Sequence, residues 1–336
     1  MIDIALDVLG GDLAPEIRLL GAIEALKEDR DLSLSLVGNK EMIENFLTKN
    51  LSDALTKRVK IINSNELIEM NEPPSKVLKE KRISSVSIAT KLVSDGLSNG
   101  IVSAGNTGAQ MATGIFQLGR ISSIERPGIA ITLPTEKGPI VLIDGGANVD
   151  VKPRNIVEFG IMGYIFAKTA YNIEKPKVAL INNGTEEEKG NKITKESYSM
   201  LKDKLSSFIG YIEGREMMKG KADVVVCDGF IGNILLKTIE GVGLSIISIL
   251  KSDINKSILK KFGALFLKST FKKLKNKMDY REYGGAPLLG IKGISIIAHG
   301  SSDNTAIKNA IKLAVKMHKE KIIALIENKL IETNLI

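Results

Sequence analysis

Residues 101–118 read IVSAGNTGAQMATGIFQL: an apolar start, a cluster of glycine, serine, asparagine and threonine, then residues at helical spacing. The apolar start lacks polar alternation, which suits a strand covered on both faces. Similar short runs of Ile, Val and Leu recur at 2–6, 32–37, 58–62, 100–104, 128–133, 140–143, 177–182, 222–226 and 294–298. Between many of them lie helical patterns. One is 15–28, opened by Pro15. Another is 303–328, where Asp303 can cap and Ile307, Ile311, Ala314, Val315, Ile322 and Leu325 form a stripe. Strands alternating with helices predict an α/β protein with a mainly parallel central sheet between helical layers, an α/β/α sandwich.

The chain has 336 residues, 43% hydrophobic and 26% charged, and no internal repeat or linker composition divides it. It is read as a single large α/β unit over 1–336. No run of about 18 apolar residues is evident, and the first residues carry acids where a signal peptide carries bases. One cysteine, Cys227, excludes an intrachain disulfide, so a cytoplasmic protein is expected. Two histidines and one cysteine argue against a Cys/His zinc site. Asp3, Asp7 and Asp12 are strung along one strand and its loop rather than gathered, so no metal is expected. The net charge of +8 is concentrated: residues 251–277 hold nine lysines and one acid. A basic segment of that kind is a docking surface rather than a nucleic-acid signature, and no nucleic-acid-binding motif is present.

Six glycine-rich polar clusters follow expected strands: DVLGGDLAP (7–15), SAGNTG (103–108), DGGANVD (144–150), NNGTEEEKGN (182–191), CDGFIGN (227–233) and AHGSSDN (298–304). Open parallel sheets bind ligands outside the carboxyl ends of their strands, so the six are expected at one rim. Glycine allows close backbone approach and a helix start adds partial positive charge, which together suit an anion. Tight strand–helix packing is the alternative use of Gly105 and Gly108. None of the clusters is a dinucleotide fingerprint, a phosphate-binding loop of nucleotide hydrolases or a hydrolase nucleophile elbow.

With GRISSIERPGIAITLPT, DGGANVDVKP, EYGGAPLLG and AHGSSDNTAIKNAI, these motifs resemble, in order, the phosphate acyltransferase (PlsX) family of bacterial phospholipid synthesis, from Ile4 to about Leu325. The chain departs in small ways, with Val8-Leu9, Leu13 and Gly145 where the family usually has other residues. The resemblance implies transfer of a fatty acyl group from acyl-[acyl-carrier protein] to inorganic phosphate, giving acyl phosphate. That product feeds a membrane glycerol-3-phosphate acyltransferase on the way to phosphatidic acid. It also implies a homodimer, peripheral at the membrane, with no organic cofactor and a fold related to the isocitrate/isopropylmalate dehydrogenases. The rivals are a phosphate transacylase using acyl-CoA, a metal-dependent dehydrogenase and a nucleic-acid-binding module.

Phosphate is already an anionic nucleophile, so the chemistry needs an anion cradle, an oxyanion donor and a cation. Lys189 is the candidate cation, or else a solvated surface lysine. Asn233 is the candidate donor to the thioester oxygen, or else a helix cap. Gly105, Asn106, Thr107 and Gly108 are assigned to phosphate. Asn148 and Asp150 position Lys189 or bind water, or else hold their loop, and Asp228 is expected to hold its loop. His299 could protonate the leaving thiolate, but a thiolate needs little help, so with Ser301 and Ser302 it is assigned mainly to phosphate binding, or else has no site role.

Residues 242–278 are read as a basic amphipathic helical insertion. Ile254, Ile258, Leu259, Phe262, Leu265, Phe266, Phe271 and Leu274 form its apolar stripe. Lys260, Lys261, Phe262, Phe266, Lys272 and Lys273 are its candidate contacts with an anionic membrane, the acidic carrier protein or a second copy. A core-facing helix with a solvated basic face is the alternative.

Overall fold

The computed structural model describes residues 1–267, 269 and 280–335. Among the described residues eleven strands form one sheet: β1 Ile2–Asp7, β2 Leu32–Gly38, β3 Val59–Asn63, β4 Gly100–Ser103, β5 Gly128–Pro134, β6 Pro139–Ile143, β7 Val178–Ile181, β8 Phe208–Ile212, β9 Val224–Val226, β10 Ala286–Leu289 and β11 Ser295–Ile297. All nine apolar runs are strands. The spatial order is β3-β2-β1-β4-β11-β10-β5-β6-β9-β7-β8. Two strands escaped the sequence reading. FIGYI of β8 interrupts its apolar pattern with Gly210 at φ +98°, and APLL of β10 carries Pro287 as its second residue.

Side-chain alternation covers both faces. In β1, Ile4 and Leu6 pack with Leu19, Ile23 and Leu26 of helix Pro15–Glu28, while Ala5 packs with Val86 and Ala89 of helix Ser85–Ser94. In β6, Val141 and Ile143 share a cluster with Phe159 and Phe166 of helix Pro153–Tyr171. Ile140 and Leu142 pack with Met217, Ile231 and Leu235 instead. The runs lack polar alternation because both sides are buried.

The expected helix over 303–328 is two helices, Asn304–Lys319 and Ile322–Glu332. Lys321, at φ +53°, breaks it and turns Ile322, Ile326 and Leu330 into the core. Polar caps start several helices where the sequence offers Asn or Asp: Asn39, Asn106, Asn191, Asp228 and Asp303 each accept a backbone N–H two or three residues into the turn.

The single-rim expectation does not hold. β10 runs antiparallel to β11 and to β5, and β5 antiparallel to β6. The strands β1, β2, β3, β4 and β11 therefore run one way, and β6, β7, β8 and β9 the other. Loops after β1, β4 and β11 leave the sheet opposite in direction to loops after β6, β7 and β9. The two sets start close together, because the paired register sets Ile297 level with Leu142, one residue before the end of β6. A cluster of Ile129, Leu288, Ile291 and Ile297 spans this junction, and both Met111 and Ala147 pack on it.

Helix Gly229–Asn255 is continuous through residue 242, so no element boundary opens the expected insertion there. Helix Ile258–Phe266 follows and runs through Gly263 without a break. Lys272 and Lys273 lie outside the described residues.

Candidate active site

Asp7 closes the first loop on itself. Its carboxylate accepts N–H groups from Leu9 (3.2 Å) and Gly10 (3.0 Å), and the Ser103 hydroxyl (2.7 Å). Ser103 in turn accepts Gly105 N–H at 3.1 Å. The loop after β11 joins them: Asp12 N–H donates to Gly300 O, and Ala298 N–H to Ser103 O. Backbone crowding requires glycine here, since a Cβ at Gly10 would stand 2.9 Å from Gly105 Cα. Arg18, buried, locks the same loop from below by donating to the carbonyls of Val8 (2.7 Å), Leu9 (3.4 Å) and Leu13 (3.0 Å). Burial pulls its guanidinium pKa down, and Asp7 opposes that.

The SAGNTG residues divide by use. Asn106 is buried; its side-chain oxygen caps helix Thr107–Thr113, and its amide donates to the carbonyls of Glu69, Met70 and Glu72 at 3.0–3.1 Å. Its side chain thus pins a neighbouring segment. Gly105 is buried, Gly108 lies under Pro74, and Thr107 is the exposed residue of the four. His299 is exposed, and Ser301 N–H donates to its Nδ1 at 3.2 Å with Ser301 Oγ at 2.8 Å. Nδ1 is thus engaged by Ser301. Ser302 is buried, its N–H bonded to His299 O.

On the other half of the sheet Asp144 repeats what Asp7 does. Fully buried, it accepts N–H groups from Ile129 (3.1 Å), Gly146 (3.2 Å), Ala147 (2.9 Å) and Asn148 (2.7 Å), and the Asn148 side-chain amide (2.8 Å). Burial raises its pKa, against those donors. Asn148 also donates to Pro127 O at 2.7 Å, so its side chain serves the loop; Asp150 is exposed at the loop's end. Gly229 N–H donates to Asn148 O at 2.7 Å, which stitches this loop to the helix start.

Asp228, not Asn233, is the cap of helix Gly229–Asn255, accepting Ile231 N–H at 2.8 Å. Asn233 is exposed one turn on, its side chain over Gly146 and hydrogen-bonded to no described residue. Lys189, in the loop after β7, is also exposed and makes no ion pair among the described residues. β7 neighbours β9, so the Lys189 and Asn233 loops leave the same rim. Cys227 is buried, and burial pushes its thiol well above the usual range, keeping it protonated. Asp3, at the far end of β1, is bonded to the hydroxyls of Ser33, Ser35 and Ser98.

Arg18, Ser103 and Asp144 were not singled out in the sequence, and Asp7 was weighed there only as a metal ligand. A signal was there for the two acids: each ends an apolar run, with Asp144 directly before Gly145 and Gly146 and Asp7 three residues before Gly10, positions from which an aspartate folds a turn onto itself. Arg18 carried none, because helix periodicity does not show which carbonyls an arginine will reach.

A twisted α/β sheet whose two halves present glycine-rich loops at their strand ends defines the class. The fold is shared with a phosphotransacetylase from Streptococcus pyogenes (TM-score 0.63, 19% identity, 95% of this chain and 94% of that one). The family described as "Fatty acid synthesis protein" matches residues 2–325. The chain belongs to this family, whose similar members are phosphate acyltransferases. One from Alkaliphilus oremlandii is 47% identical over 95% of both chains. Another, from Pelotomaculum thermopropionicum, is 46% identical over 98% of this chain and 93% of that one.

Proposed function

We propose that the protein moves a fatty acyl group from acyl-[acyl-carrier protein] to inorganic phosphate, releasing acyl phosphate for phosphatidic acid synthesis. The observation that carries this is the pair of uncommitted polar side chains on one rim: the Lys189 ammonium and the Asn233 amide. A phosphate oxygen attacks the thioester carbonyl carbon, whose oxygen becomes an oxyanion. Asn233 donates to that oxyanion and Lys189 offsets the accumulated charge. The intermediate collapses by breaking the C–S bond, and the leaving thiolate takes a proton. Thr107, the His299 ring and the backbone N–H groups of Thr107 and Gly108 supply phosphate contacts from the facing half of the sheet, while the Gly105 N–H is held by Ser103. Asn106, Asn148 and Asp228 act by holding the loops. No cofactor enters the scheme, and the kinship to the isocitrate/isopropylmalate dehydrogenase-like fold is part of the proposal.

Helix Gly229–Asn255 supports association with a second copy and with membrane. Its most apolar 18-residue window has a mean hydropathy of 1.5, and none of that window is buried. By length and composition it could cross a bilayer, which the reading of apolar runs did not anticipate. Leu244, Ile249, Leu259 and Phe266 are exposed, with Lys261 and Lys260, the latter paired with Asp253 at 2.6 Å, beside them. We assign this surface to a homodimer contact and to an anionic membrane or carrier-protein contact, which would set the protein at the cytoplasmic face near the downstream acyltransferase.

The test compares donors, long-chain acyl-[acyl-carrier protein] against acyl-CoA, each with inorganic phosphate, assaying acyl phosphate. Turnover only with acyl-CoA would remove the proposed donor. Lys189→Ala and Asn233→Ala should each raise the barrier by roughly 2–4 kcal/mol, with the melting temperature unchanged; full turnover in both would overturn the assigned roles.

A further inference from the structure

The loop that carries Lys189 places three glutamates directly before it, 186–188. A cation meant for phosphate must not be neutralised by its own neighbours. Gly184 makes room for the Lys189 stem: a Cβ there would stand 3.0 Å from Lys189 Cγ and 2.7 Å from Glu186 Oε2. Glu186 nevertheless makes no ion pair with Lys189. Glu187 is drawn the other way. Its Oε1 accepts the Tyr198 hydroxyl at 2.7 Å and Lys202 Nζ at 3.1 Å, both from helix Lys192–Lys204. Tyr198 is braced in turn: its ring lies 4.7 Å from Tyr211 and 5.3 Å from Phe208, both on β8, and Lys202 Nζ sits 5.6 Å above it. These two bonds hold the Glu187 carboxylate below its usual pKa, and the bond to Glu187, with some burial, pushes the Tyr198 phenol up to about 12, so both keep their bonded forms at neutral pH.

We propose that Tyr198 and Lys202 are positioning residues for phosphate binding: they latch Glu187 onto helix Lys192–Lys204 and so leave Lys189 unpaired in its loop. This rests on the role given to Lys189 above. Without the latch, Glu187 is free to swing toward Lys189 two residues on and compete with phosphate for it. The competition is between exposed charges, so it is modest and screened by salt.

The experiment measures kcat and the KM for inorganic phosphate, with the acyl donor saturating, in Tyr198→Phe/Lys202→Met. The KM for phosphate should rise about three- to fivefold, the scale of one exposed ion pair, with kcat close to wild type. The difference should shrink at high salt. Adding Glu187→Gln to the double variant should return the KM to within about twofold of wild type, because the competitor is gone. An unchanged KM in the double variant refutes the latch. A raised KM that Glu187→Gln does not rescue refutes it too, since a loop merely loosened by losing Tyr198 gains nothing from neutralising Glu187. Lys189→Ala run alongside separates the failures. If it keeps full turnover, the role of Lys189 is lost and the latch with it; if it loses turnover while the double variant is unaffected, only the latch is lost.

Discussion

Gly232 is where helix Gly229–Asn255 touches the sheet, and replacing it with alanine tests how Asn233 is placed. A Cβ at residue 232 would overlap the Asp144 carbonyl oxygen and stand 3.0 Å from both the Asp144 carbonyl carbon and the Cys227 sulfur. Two of those three atoms are backbone, and the Asp144 backbone is fixed by five hydrogen bonds to its carboxylate. Little can yield except the helix. Alanine gains about 1 kcal/mol over glycine in helix propensity, whereas overpacking of this kind costs about 1–3 kcal/mol, so the net loss is up to about 2 kcal/mol in urea unfolding. The helix must move by a substantial part of an ångström to relieve the overlap, and Asn233, the next residue, moves with it. A misplacement near 1 Å at a reacting centre costs about 10²-fold in rate. Gly241→Ala is the control, because a Cβ there has nothing within 4 Å; it should stabilise by up to about 1 kcal/mol. Acyl phosphate formation and urea denaturation, read on both variants, decide the matter. Wild-type turnover and stability in Gly232→Ala would refute the claim that this contact sets the site.

Asn106→Ala removes a helix cap and three contacts to residues 69–72, and should cost about 1–3 kcal/mol while exposing the 64–84 segment to proteolysis; unchanged cleavage would count against the strap. Glu28 meets Lys308 and Lys312 across two helices at 2.9 and 2.8 Å, and those bonds depress its pKa. The contribution is therefore present above the unfolded carboxylate value and lost as pH falls through the folded one. Glu28→Gln should lower stability by at most about 1 kcal/mol at pH 7 and by nothing once the carboxylate is protonated in strong acid, as melting curves at both pH values will show. The Cys227 thiol, protonated by burial, should resist a thiol-specific disulfide reagent in the native protein and react fully in guanidinium; rapid native labelling would show an open strand end.

The nine apolar runs were strands because a sequence buried on both faces has no reason to alternate, and that property is local. The helix from Pro15 to Glu28 and the capping role of Asp303 were legible for the same reason: proline, aspartate and spacing act within a few residues. The site was partly legible. Glycine after a strand marked every loop that matters, and Lys189 and Asn233 are among its exposed polar residues. The direction of each loop was not readable. It follows from β10 and β5, two strands inserted antiparallel between two parallel halves, and pairing partners far apart in sequence leave no local trace. Nor could the sequence say which polar side chains are spent. Asn106, Asn148 and Asn233 look alike in a string of letters. Tertiary packing gives the first two carbonyl and carboxylate partners and leaves the third over a glycine with none among the described residues, because hydrogen-bond satisfaction depends on which backbone the fold brings within 3 Å.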